Sequence, residues 1–382
     1  MFGLRKKNLV GLDIDTTAVR MVQLRREDAG YAVTGACSTE IAPWGDDPEL
    51  RRIHTVRAIQ QGLSKRNIDG KLAVCGLRGP EVVVRSFEFP LLPPEEIGSA
   101  VGLEASQICP FSPEESTFDY QVTSMDAGKT RGFWVAANNG LIRSTRQLVH
   151  EAGLHCAVLD VAGLALLNCL RDSRKGSDDA QDEGGIPQGP AVVDIGGSCT
   201  TIAIMDHAGR PFVRDINSGS DQILQRMADE AQVPFEIAKA ALLNYGSAQN
   251  PSEGMDLETA SSQSGNEALS WDNLERTCAP LVEDIATTLR YYAAQHSSGL
   301  PAQGAASSGP GVKVERLFVC GALARVKQFI ELLQARLYID VTAWSPVEAM
   351  RCDGAKAKRL APVVQDAGSS MSLAIGLAMR SL

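Results

Sequence analysis

No run of apolar residues in this sequence approaches the length that crosses a bilayer, and the first residues contain no signal-peptide apolar core. The expectation is a cytoplasmic chain. Paired cysteine motifs are missing as well. The nine cysteines (Cys37, Cys75, Cys109, Cys156, Cys169, Cys199, Cys278, Cys320 and Cys352) are scattered, odd in number and never spaced C-x-x-C. Several sit inside apolar runs and read as small buried residues of a reducing compartment. The five histidines form no metal-binding pattern. Positive charge is in deficit, and a net charge of −9 argues against a nucleic-acid binder working through phosphate contacts. Met1 to Lys7 carries three basic residues, too few to attach firmly to an anionic membrane; a frayed terminus is the plainer reading.

What is present is a long chain with ordinary globular composition. Its 382 residues suffice for two or three domains, and it is 44% apolar and 22% charged. One stretch organises the rest. In Val192 to Ile204 an apolar run ends in Asp194, Gly196 and Gly197 follow, and a second β-type run begins at Thr200. That pattern is a buried strand, a tight glycine turn and a returning strand. Adjacent glycines let backbone N–H groups approach a phosphate, and Asp194 stands where it could hold Mg²⁺ through water. Taken alone, the stretch is more plainly read as an ordinary hairpin with an Asp-Gly type turn. A similar stretch runs from Asn8 to Leu24, with Asp13 at the strand end and Thr16 and Thr17 in the turn. Two such hairpins about 180 residues apart suggest a duplicated domain with a cleft between the copies. Asp13 and Asp194 would then face one metal–phosphate group from either side.

The remaining pattern fits that scheme. Gly30 to Ile41 alternates as a third strand, Pro48 to Arg66 has helical spacing, and Lys71 to Leu77 is again a strand. This βββαβ order matches the ribonuclease-H-like half-domain that actin-type ATPases duplicate. Residues 1–79 are the first part of lobe one, 80–152 an inserted α/β subdomain, and 153–170 the return to lobe one. A polar linker at 171–190 leads to lobe two at 191–350, with a long helix from Trp271 to His296 and another from Leu323 to Leu337. Ser247 to Ser270 and Ser297 to Gly311 are poor in apolar residues and look mobile, and Ala355 to Gly368 looks irregular. A C-terminal helix at 368–382 packs back on lobe one. By analogy at the level of fold, the class expected is α/β, actin-like, with two duplicated lobes and one insertion.

Several segments together resemble the PilM family of type IV pilus assembly, which is related to FtsA. They are Phe2 to Lys7 leading into Gly11 to Ile14, Gly79 to Arg85, Leu103 to Phe111, Phe118 to Val122 and Leu373 to Arg380. The resemblance covers nearly the whole chain, and the pieces in the insertion are its more specific part. It implies ATP and Mg²⁺ in the interlobe cleft. It also implies a scaffold role in a ring or homo-oligomer, among other pilus assembly components. The implied partner is a PilN-like single-span inner-membrane protein, whose N-terminal tail would lie near lobe one and the insertion.

Carried onto this sequence, the family's nucleotide pattern falls on Asp13, Thr16 and Thr17 in the first phosphate loop. The second loop would use Asp194, Gly196, Gly197 and Thr200, with Gly219 in the turn beneath and Gly321 in the adenosine loop. Asp13 and Asp194 would be the metal ligands. Asp160, at a strand end, could orient a water as a catalytic base or simply cap the helix at Val161. The pattern is incompletely kept. Asp15 stands where glycine is common and adds a carboxylate that only a metal or a proton would relieve. Lys239 and Leu242 fall where a Glu and a Lys contact adenosine, and Ala322 replaces a glycine. The expectation is weak ATP binding with little or no hydrolysis. Two alternatives share the fold: a small-molecule kinase, which would want a clear catalytic Asp, and a ribonuclease-H-type nuclease, which the acidic balance disfavours.

Overall fold

The computed structural model describes residues 9–27, 30–64, 68–173, 191–206, 209–247, 271–297, 314–352 and 357–380. The basic N-terminal stretch, residues 174–190 of the expected linker and nearly all of the two apolar-poor stretches lie outside these residues.

Lobe one opens with β1 (Leu9–Ile14), β2 (Ala18–Glu27), β3 (Gly30–Glu40), α1 (Pro48–Ser64) and β4 (Leu72–Leu77). The next elements are β5 (Val82–Pro90), α2 (Pro94–Ile108), β6 (Ser116–Asp126), β7 (Lys129–Asn138), α3 (Asn139–Glu151), β8 (His155–Val161) and α4 (Ala162–Ser173). Lobe two contributes β9 (Ala191–Ile195), β10 (Thr200–Met205), β11 (Pro211–Ile216), α5 (Ser220–Ala231), α6 (Phe235–Ser247) and α7 (Trp271–Ser297). It continues with β12 (Arg316–Gly321), α8 (Lys327–Leu337) and β13 (Asp340–Ala343), before β14 (Arg351–Cys352), α9 (Ala357–Ala367) and α10 (Ser372–Ala378) close the chain.

Burial on both faces makes β1 and β9 central strands, which is why both read as continuous apolar runs. Each pairs antiparallel with the strand after it and parallel with a later one: β1 with β2 and β4, β9 with β10 and β12. The strand order β3-β2-β1-β4-β8 in lobe one repeats as β11-β10-β9-β12-β13 in lobe two. This is the ribonuclease-H-like order twice over, the actin-like arrangement expected from the two hairpins. β14 adds to the lobe-one sheet beside β3. The insertion has its own sheet, β5-β7-β6, with α2 over one face and a small core around Phe87, Ile97, Val101 and Trp134.

Two buried helices join the lobes. α4 is apolar almost all round and packs on β10 and β11 of lobe two as well as on β4 and β8. α10 lies against α4 and β1, so one apolar core runs from Val22 and Val74 of lobe one through Leu373 to Val192 and Ala203 of lobe two. The approach is close enough that a Cβ on Gly376 would stand 2.3 Å from the Ala165 carbonyl oxygen.

Three local expectations differ from the structure. α3 falls within 80–152 but packs on α1 and β8, and its Val149 joins Ile59 and Leu154 in the lobe-one core. The helix expected from Leu323 is interrupted: a 3₁₀ turn at Ala322–Arg325 gives way to extended Val326 before α8 begins. The supposedly irregular Ala355 to Gly368 contains α9, whose Leu360 is fully buried and which packs against β3. Pro362 inside it conceals the helical spacing from a sequence reading.

Candidate functional site

The turns of the two hairpins meet where the lobes face each other. Asp13 comes from the end of β1, Asp15 and Thr16 from the β1–β2 turn, and Asp194, Gly196 and Gly197 from the matching place in lobe two. The expected carboxylates are thus brought together and buried, but two arginines come with them. Arg20 lies opposite Asp13 in the β1–β2 register, and Arg78 follows the end of β4. Arg78 reaches Asp13 at 2.8 Å and Asp194 at 3.3 Å, with Asp15 at 3.8 Å. Arg20 reaches Asp15 at 3.3 Å and Asp13 at 3.4 Å. The carboxylate side chains are 4–6% exposed and the two guanidinium side chains 12–13%. Burial in that range makes charge pairing obligatory.

Several backbone donors of these loops are occupied too. Gly197 N–H donates to the Asp15 carboxylate at 3.0 Å. At the start of α5, Ser220 N–H and Asp221 N–H donate to the Gly196 and Gly197 carbonyls, and Gly219 N–H donates to Gln222 Oε1. The Thr16 hydroxyl donates to Asp221, and the Thr200 hydroxyl donates to the Ser218 carbonyl oxygen at 2.7 Å. Gly219 and Gly321 serve close backbone approaches. A Cβ on Gly219 would stand 2.3 Å from the Gly197 oxygen, and one on Gly321, at φ +89°, 2.2 Å from the Ile195 oxygen. Thr17 lines the outer mouth, an opening of about 720 Å³ bordered by Trp44, Phe235 and Lys239 and spanned by the Lys239–Glu40 ion pair at 2.7 Å. Leu242, aligned by sequence to an adenosine contact, is buried in the lobe-two core instead.

These residues do not fit a resident Mg·ATP. Asp13 and Asp194, expected as metal ligands, share a guanidinium, and no group of three or more acidic, His or Cys side chains among the described residues could hold a metal. Asp15 is relieved by arginines and N–H donors rather than by a metal or a proton, which corrects the expectation from sequence. Asp160 does not belong to the cluster at all. Arg380 donates to both its oxygens, at 2.6 and 2.8 Å, and Val161 N–H donates to Oδ1 at 2.9 Å. With both oxygens engaged, Asp160 ties down the C-terminal segment rather than serving as a free base, and among the described residues it makes no bond to the first turn of α4 that would cap it. The arginines left no motif in the sequence; their only signal was a basic residue facing Asp13 across the predicted hairpin.

The electrostatics of the cluster set a pH dependence. Burial pushes Asp194 up to about 6 against the pull of Arg78, with Asp13 and Asp15 adding to the push. Burial would also raise Asp15, but Arg78, Arg20 and the N–H groups of Thr16 and Gly197 outweigh it and hold Asp15 down at about 2. A raised folded value means that the Asp194 contribution is full below about pH 4 and is lost as pH rises through about 6. The Asp15 contribution has the opposite sign: it is present above about pH 4 and lost as pH falls through about 2. Asp194→Asn, which mimics the protonated acid, is expected to gain about 1–2 kcal/mol relative to the unmodified protein between pH 5 and pH 7.5. Urea unfolding at the two pH values checks this, and a pH-independent difference would contradict it.

With the geometry established, the chain can be set beside known proteins. A family model described as type IV pilus assembly protein PilM matches residues 11–253. The chain belongs to that family. A chain of a PilM-PilN type IV pilus biogenesis complex is 20% identical, with 98% of each chain covered and a TM-score of 0.74. The ethanolamine utilization protein EutJ from Carboxydothermus hydrogenoformans is 15% identical, over 97% of this chain and 88% of its own, with a TM-score of 0.50. At such identities the two likenesses show the fold, which is actin-like. Among the described residues no helix is long and apolar enough to cross a membrane.

Proposed function

We propose that the chain is a cytoplasmic scaffold of type IV pilus assembly, or of a related secretion machine. It binds the N-terminal tail of a PilN-like inner-membrane protein and reaches the membrane through that partner, with weak or absent ATP turnover. One observation carries this reading beyond family membership. The family-bearing segments Leu103 to Phe111 and Phe118 to Val122 converge on a pocket of about 300 Å³ in the insertion, lined by Ala105, Cys109, Phe111, Pro113 and Phe118. Around it the surface is unusually apolar for an exposed face: Leu103 is 63% exposed, Ile108 49% and Phe118 45%. β6 forms one edge of the three-stranded sheet, so an extended peptide could add main-chain bonds there while a side chain fills the pocket.

Calorimetry with a peptide copying the N-terminal tail of a PilN-like single-span protein tests this. Micromolar binding is expected, weakened at least about tenfold, or ~1.4 kcal/mol, by Leu103→Glu with Phe118→Glu. No heat at high peptide concentration, or unchanged affinity in the double variant, would sink the reading. The kinase alternative gains nothing from the structure, since Asp160 is held by Arg380.

A further inference from the structure

We infer that Arg78 takes the place of the metal–phosphate group, so that the chain closes its own interlobe cleft with a built-in cation. The position supports this directly. One guanidinium bridges Asp13 of lobe one and Asp194 of lobe two, the same two strand-end carboxylates that would otherwise flank a metal. Its planar fork can hold both at once, which an ammonium cannot do with fixed geometry. Around it, contacts that a bound nucleotide would mediate run directly between the lobes. Asp15 accepts from Gly197 N–H, Thr16 donates to Asp221, and Gly79 N–H donates to Asp215 at 2.6 Å. Farther out, Lys239 pairs with Glu40.

The charge balance points the same way. Asp13, Asp15 and Asp194 face Arg20 and Arg78, so two of the three carboxylate charges are already balanced by fixed cations. A divalent cation added to it would meet two fixed positive groups. Removing Arg78 leaves three carboxylates on one arginine, a set that a divalent cation would neutralise. The junction is therefore fixed by side chains, and ligand exchange in the cleft does not drive opening and closing of the lobes.

The test compares melting temperatures of the full chain and of Arg78→Ala, Arg78→Gln and Arg78→Lys in EDTA and in 5 mM Mg²⁺, Mn²⁺ or Ca²⁺. The unmodified protein is expected to melt at the same temperature in every condition. Arg78→Ala and Arg78→Gln are expected to melt lower in EDTA and to recover about 4 °C or more with at least one cation. Arg78→Lys, which keeps the charge, stays insensitive to cations. If Arg78→Ala does not fold, Arg78→Gln and the unmodified protein still decide the matter. A cation-dependent rise in the unmodified protein would overturn the inference. So would an Arg78→Gln protein that is destabilised but rescued by none of the cations, or one as stable as its parent.

Discussion

Asp15→Ala is expected to lower the free energy of unfolding by about 3–5 kcal/mol, the usual cost of breaking a buried ion pair from one side. The carboxylate accepts from the N–H groups of Thr16 and Gly197 and pairs with Arg20. Without it Gly197 N–H loses its partner, and two guanidiniums face only Asp13 and Asp194 in a largely buried site. An orphaned buried N–H alone costs about 1–3 kcal/mol. The same change frees a phosphate-type donor, so whatever Mg·ATP affinity the chain has is expected to rise while its stability falls. Urea titration and calorimetry read the two effects separately. A stability loss under about 1 kcal/mol, typical of an exposed pair, would mean that Asp15 does not join the lobes.

Gly11→Ala is expected to destabilise by about 3 kcal/mol or more, at the upper end of overpacking costs. A Cβ there would stand 1.9 Å from the Ala374 carbonyl oxygen and 2.6 Å from the Ala378 nitrogen, both backbone atoms of α10. Neither can swing aside as a side chain would, so α10 must move off β1. Leu373, Ile375 and Leu377, all almost fully buried, would lose packing with it. Because α10 also contacts α4, the disturbance reaches the core shared by the two lobes. Gly102→Ala serves as the control, since its Cβ would meet only Phe118 at 3.4 Å, an ordinary contact. Limited proteolysis is expected to cut near α9 and α10 first in Gly11→Ala and not in Gly102→Ala. Equal melting temperatures for the two variants would contradict the close packing of β1 on α10.

Local pattern made much of this fold legible. β1 and β9 announced themselves as buried runs ending in aspartate, and the glycines after Asp194 marked the turn, because strand burial and turn geometry are set by neighbours in sequence. Asp13, Thr16, Asp194, Gly197 and Gly219 were accordingly brought to one place by the structure. The chemistry of that place was not legible. Arg78 and Asp194 are 116 residues apart, and only the packing of one lobe on the other brings the guanidinium between the strand ends. Asp15 looked like an uncompensated charge because its partners lay on β2, after β4 and in lobe two. Asp160 invited a catalytic reading for the same reason, its partner Arg380 being 220 residues away. Helix α9 was hidden by a different cause: Pro362 broke the periodicity, while tertiary burial of Leu360 against the lobe-one sheet favoured the helix.

The most direct measurement on the closed cleft is the affinity of the unmodified chain for Mg·ATP, by calorimetry and by thermal shift at 5 mM nucleotide. With Arg78 bridging Asp13 and Asp194 and with Gly197 N–H taken by Asp15, no saturable binding below about millimolar concentration is expected. The melting temperature then rises by no more than about one or two degrees, because 5 mM ligand at a millimolar Kd adds only about 1 kcal/mol. A saturable site in the micromolar range would show as several degrees of stabilisation at that concentration, and would contradict a cleft held shut by the chain's own arginines.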